Sequence, residues 1–135
     1  MQFNLVSSII YNSSLFFMGA LLIPYFIVVS YEFKGLKEAR WFSAAGSVAG
    51  LFLSIMLIGA SLTPADLFLD IHLMFGMLAF FVGLPLAILF CVAIVTNKEY
   101  PNIYAIVYAV LGVVLFIFII SMFQDVGSPV ITPRF

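Results

Sequence analysis

The sequence is short of charge. Five Lys and Arg and six Asp and Glu make up 8% of its 135 residues, where an ordinary soluble domain carries about 25%. So few charges cannot cover a soluble surface, which excludes a water-soluble globular protein. The near balance of acids and bases leaves no basic footprint, and nucleic-acid binding goes with it. Groups that carry chemistry are scarce too. A lone Cys91 rules out CxxC exchange within the chain and reads as a small buried apolar residue. A lone His72 rules out haem held by two histidines of this chain. P-loop, dinucleotide-binding and zinc-protease motifs are absent. What is plentiful is apolar: 65% of residues are hydrophobic and 17% aromatic, a composition that excludes disorder as well.

The apolar residues fall into four continuous runs, at about Ile9–Tyr31, Trp41–Leu62, Ile71–Val95 and Ile103–Phe123. A spanning helix needs about 20 such residues to cross roughly 30 Å of hydrocarbon. The runs do not alternate between an apolar and a polar face, so a β-barrel is excluded. The expected fold is all-α: an integral membrane four-helix bundle forming a single transmembrane domain over residues 1–135. Lys34, Lys37, Arg40 and Lys98 lie in the first and third linkers, and Arg134 alone lies on the other side. By the positive-inside rule those linkers are cytoplasmic and both termini external, a multi-pass protein of the cell membrane. The uncharged N-terminal segment lacks the basic start of a signal peptide, so the first run is expected to stay as a span.

The second linker carries Thr63, Pro64, Ala65 and Asp66 in the order of a capping signature. It predicts a third helix that starts near Pro64 and runs to about Val95, roughly 48 Å long. Pro24 and Pro85 sit inside the first and third runs and predict kinks. In lipid, close approach between helices rests on small residues. Three stripes offer it: Gly46, Gly50 and Ser54 on the second helix; Gly76, Ala79, Gly83 and Ala87 on the third; Ala105, Ala109 and Gly112 on the fourth. Each serves packing within the bundle or a seam for another subunit. Phe80, Phe81, Phe90, Phe116 and Phe118 read as lipid-facing or filler. Tyr25, Tyr31, Trp41, Tyr100 and Tyr104 read as interfacial aromatics of the cytoplasmic side, with Tyr11 near the outer end.

One polar constellation stands out: Asp66, Asp70 and His72. Asp66 and Asp70 are four apart and share a helix face, whereas His72 is turned by about 200° from Asp70. Three ligands for one metal would not converge from those positions without a broken helix or a partner's groups. A polar substrate or proton site is one reading, because ionisable groups at membrane depth are functional candidates. The plainer reading puts Asp66 in the helix cap, Asp70 in solvent and His72 in a bond to a neighbouring helix. Asn12, Ser13 and Ser14 lie at the same level and are the expected partners.

The stretches YNSSLFFMGALLIPYFIVVSYEF, AAGSVAGLFLSIMLIGASLTPAD and LDIHLMFGMLAFFVGLPLAI resemble part of an uncharacterised prokaryotic membrane-protein family related to the Frag/DRAM/Sfk proteins. The matching residues are Asn12-Ser13, Gly46, Gly50, Gly59, Pro64, Asp66, His72 and Phe80-Phe81, within about residues 11–95. The resemblance implies a helical bundle with the His-bearing loop outside and no established catalysis. Such proteins carry more spans than the four read here. The expected function is therefore that of a small non-catalytic subunit, accessory or structural, of a larger membrane protein complex. It needs no catalytic residue, metal or cofactor of its own, and its partners are the lipid bilayer, bound lipids and other membrane subunits. The alternative is an oligomeric small transporter or channel that uses Asp70 and His72 near the external face.

Overall fold

The computed structural model describes residues 4–33 and 37–127, so Lys34 and Arg134 lie outside the described residues. Four helices follow one another: α1 Leu5–Glu32, α2 Lys37–Leu62, α3 Leu69–Thr96 and α4 Asn102–Gly127. With no strand among the described residues, the fold is all-α. At 1.5 Å per residue, helices of 26 and 28 residues reach about 39 and 42 Å. All four are long and apolar enough to cross a membrane. Several hydroxyls inside them are spent on their own backbone. Ser14, Ser54, Thr96 and Ser121 each donate to the carbonyl four residues back, at 2.7 to 2.9 Å, which hides a polar group that apolar surroundings would penalise.

Local chemistry sets the ends. The Asn4 side chain accepts from the Ser7 amide at 3.3 Å and starts α1 ahead of its apolar run. At the other end of the molecule Asn97 closes α3, its amide donating to the Ala93 and Ile94 carbonyls. Its side chain accepts from the Glu99 amide, and Pro101 then leads into α4. The helices run continuously through Pro24 and Pro85.

The third helix starts later than the capping signature predicts. Pro64 accepts from the Leu67 and Phe68 amides in a single isolated turn, and Phe68, at φ −135° and ψ 55°, breaks the path before α3 begins at Leu69. The Thr63 hydroxyl cannot cap α3 because it donates back to the Gly59 carbonyl, 2.9 Å away in the last turn of α2. Asp66 therefore belongs to the turn rather than to the cap of α3.

Packing runs in chain order. α2 lies between α1 and α3, and α4 lies against α3; among the described residues α1 and α4 make no close backbone approach. Glycines decide how near the helices come. A Cβ on Gly19 of α1 would stand 2.8 Å from the Ser54 carbonyl oxygen of α2, so the two backbones touch there. Gly46 and Gly50 of α2 form a floor under two rings: Phe90 of α3 lies over the first and Phe26 of α1 over the second. Phe26 and Phe90 are both buried, with ring centroids 5.9 Å apart, and Phe90 stacks on Tyr108 of α4 at 5.3 Å. A file of three rings thus ties α1, α3 and α4 together across the glycine face of α2. Ser43 and Ser47 are buried on α2 with hydroxyls that have no hydrogen-bond partner, so what they offer is small volume.

Candidate functional site

Asp66, Asp70 and His72 gather at the end of the molecule where α2 turns into α3. His72 Nδ1 lies 2.9 Å from the Ala60 carbonyl oxygen and 2.8 Å from that of Thr63. Carbonyl oxygens only accept, so Nδ1 carries the proton and donates to both. These are carbonyls at the end of α2, where a helix runs short of partners: Ala60 otherwise accepts only at 3.4 Å, from the Thr63 amide and hydroxyl. The break at Phe68 is what lets the first turn of α3 reach back to them. His72 is thereby a clasp across the α2–α3 connection. The ring of Tyr11 on α1 lies 6.4 Å away, centroid to centroid.

Of the expected partners of His72 on α1, Asn12 and Ser14 are bonded within their own helix. Asn12 Nδ2 donates to Ser8 Oγ at 3.2 Å, and the Ser14 hydroxyl donates to its own helix. Asp66 is exposed and lines a cavity of about 420 Å³ with Ser8, Asn12 and Ser13 of α1. Asp70 is exposed in the first turn of α3, where a carboxylate suits the positive end of the helix dipole. Among the described residues no three His, Cys, Asp or Glu side chains are placed to hold one metal ion.

Between the helices lies a second cavity of about 270 Å³, lined from all four. Tyr11 and His72 line it together with Leu, Met, Gly and Phe side chains. Gly76, assigned by its stripe to packing, borders this space: a Cβ there would meet nothing within 4 Å. Ala109 is exposed on α4. Ala109 lies between Ala105 and Gly112 of its own stripe and borders an apolar cavity between α3 and α4 with Ala87 and Gly112, as Gly76 borders the one at the α1 side. Ala79, Gly83 and Ala105 are buried, and Gly83 and Gly112 face Leu115 and Ala87 across the α3–α4 contact.

The opposite end holds a cluster of rings, most of which the sequence pattern assigned to an interfacial belt or to filler. Tyr25, Phe33, Phe90, Tyr100, Tyr104 and Tyr108 converge on a cavity of about 180 Å³, with Val29 and Ile94 as its aliphatic wall. The Tyr25 and Tyr108 hydroxyls are 2.9 Å apart and bond α1 to α4 where their backbones stay separate. Phe33 stacks on Tyr100 at 5.0 Å, and the Tyr100 hydroxyl donates to Glu32 Oε2 at 3.3 Å. Burial, then the neighbouring Glu32 charge, raises the Tyr100 phenol above its ordinary value of 10.0. The chain matches no family model, no curated protein and no solved structure, and its function is read from its own residues.

Proposed function

We propose that the protein is a multi-pass integral membrane protein with both termini external, acting as a non-catalytic accessory subunit of a larger membrane complex. The observation that supports this reading is how little of α1 and α4 is used inside the chain. Within α1 only Gly19 and Phe26 are buried, and along α4, through Gln124, only Ala105 and Ile119 are. The two flanking helices make no close backbone approach to each other, so the set of four is open along one side. Leu21 on α1 and Val107, Val110, Val114 and Ile117 on α4 are left exposed. In a bilayer such faces meet lipid or a neighbouring helix. A photo-crosslinking residue placed at Leu21 or Val114 in native membranes distinguishes the two. The subunit reading predicts protein adducts of one discrete mass at one of these positions. Lipid adducts alone at both would overturn it.

A second reading, an oligomeric small transporter or channel, draws on the 270 Å³ cavity that Tyr11 and His72 border. It predicts a pH-dependent flux in liposomes that His72→Gln or Asp70→Asn abolishes.

A further inference from the structure

We propose that the aromatic cavity at the Lys98 end binds a quaternary ammonium group. Interfacial aromatics normally stand outward in a belt. Here rings from α1, the α3–α4 connection, α3 and α4 line one open cavity instead. A cation over aromatic faces is held by their negative quadrupoles, and quaternary ammonium ions are the ligands that cages of this kind take. Hydrogen bonding selects in the same direction. Phe33 stacks on Tyr100 and Phe90 on Tyr108, the Tyr25 and Tyr108 hydroxyls are engaged with each other and the Tyr100 hydroxyl with Glu32, so these paired rings offer a ligand aromatic surface rather than free hydroxyls. A quaternary ammonium ion has no N–H to satisfy, whereas a primary amine or an anion would demand polar partners. Glu32, bonded to the cage through Tyr100, supplies the negative charge at the rim. The neighbouring Lys98 and Glu99 are both exposed and offset each other.

Size agrees. An apolar cavity of about 150 Å³ holds benzene, and tetramethylammonium is of similar bulk; this cavity measures about 180 Å³. Access is open too, since Tyr104 is 53% exposed and α1 and α4 stay apart. The ammonium group could arrive as a free cation or as the choline headgroup of a lipid. This site stands apart from the subunit reading, and either can fail alone.

The test uses the full chain in nanodiscs of phosphatidylglycerol, which carries no choline. Choline and its uncharged isostere 3,3-dimethylbutan-1-ol are compared by saturation-transfer NMR. The cage predicts choline binding about tenfold tighter than the isostere, the ratio that 1.4 kcal/mol of cation–π attraction gives. Tyr104→Leu, at a half-exposed position that leaves the fold intact, removes that preference, and Tyr104→Phe keeps it. A second set of nanodiscs made of phosphatidylcholine separates the sources: a lipid headgroup occupant blocks added choline there, and a free-cation site binds it equally in both. Equal binding of choline and isostere, or a choline preference that survives Tyr104→Leu, would overturn the proposal.

Discussion

Glycine positions in this chain differ in what they do, and mutation separates them. Gly19 faces a backbone carbonyl that cannot swing away, so Gly19→Ala forces α1 off α2 and is expected to cost about 1–3 kcal/mol. Gly76→Ala adds a methyl to open space and removes a helix-interior glycine, so stability should rise by up to about 1 kcal/mol. Reversible unfolding in mixed micelles measures both; a Gly19→Ala as stable as the parent would refute the close crossing. His72 acts at the same scale. His72→Ala leaves the Thr63 carbonyl without this donor and the Ala60 carbonyl with only the longer Thr63 bonds, and should cost about 1–2 kcal/mol, with faster amide exchange across residues 63–68. The Gly46/Gly50 stripe was legible because small residues four apart mark a close face. Gly19 was not, since it stands alone in its helix, and neither was the pairing of His72 with α2, which depends on where the chain breaks.

Among the helices, the link between α1 and α4 is the weakest and the most specific. It rests on Tyr25 and Tyr108, whose hydroxyls bond where the backbones do not meet. A double-mutant cycle of Tyr25→Phe and Tyr108→Phe should give a coupling of about 0.6 kcal/mol, within the range up to about 1.7 found between membrane helices. Zero coupling would mean that the two hydroxyls are not bonded. The connection between α3 and α4 carries the pH-dependent element. Tyr100 is raised, so its neutral form favours the folded state; that contribution is full below 10.0 and lost as pH climbs through the folded value. In an alkaline absorbance titration the Tyr100 phenol should ionise late, and Glu32→Gln should bring it back toward the ordinary value.

Helix existence was plain from the four apolar runs, because length and hydropathy alone decide it. The start of α3 was not. Thr63, Pro64 and Asp66 carry the residue types of a cap, but Thr63 bonds backward to α2 and the order of residues does not reveal the direction of a hydroxyl. The tyrosines likewise read as a belt, because only the packing of α1 and α3 on α2, and of α4 on α3, brings separate rings to one cavity.

For the whole molecule, scarcity of charge remains the leading fact, and it frames where the polar groups end up. The side chains of Asp66 and Asp70 mark one end, Glu32, Lys37, Glu38, Arg40, Lys98 and Glu99 the other, and the length between is apolar, with Ser14, Ser54 and Ser121 turned on their own helices. That arrangement predicts sidedness. In a Cys91→Ala background, Asp66→Cys should react with a membrane-impermeant maleimide added outside intact cells, and Lys98→Cys only after lysis. Labelling in the reverse order would invert the topology.

The claim at the centre of this account is that α1 and α4 leave faces for another subunit. Native mass spectrometry of assemblies released directly from the membrane reads that claim in one step. A particle that contains this 14.9 kDa chain in fixed ratio with a different membrane protein is the predicted result. A chain released only as a monomer, carrying lipid and nothing else, would contradict it.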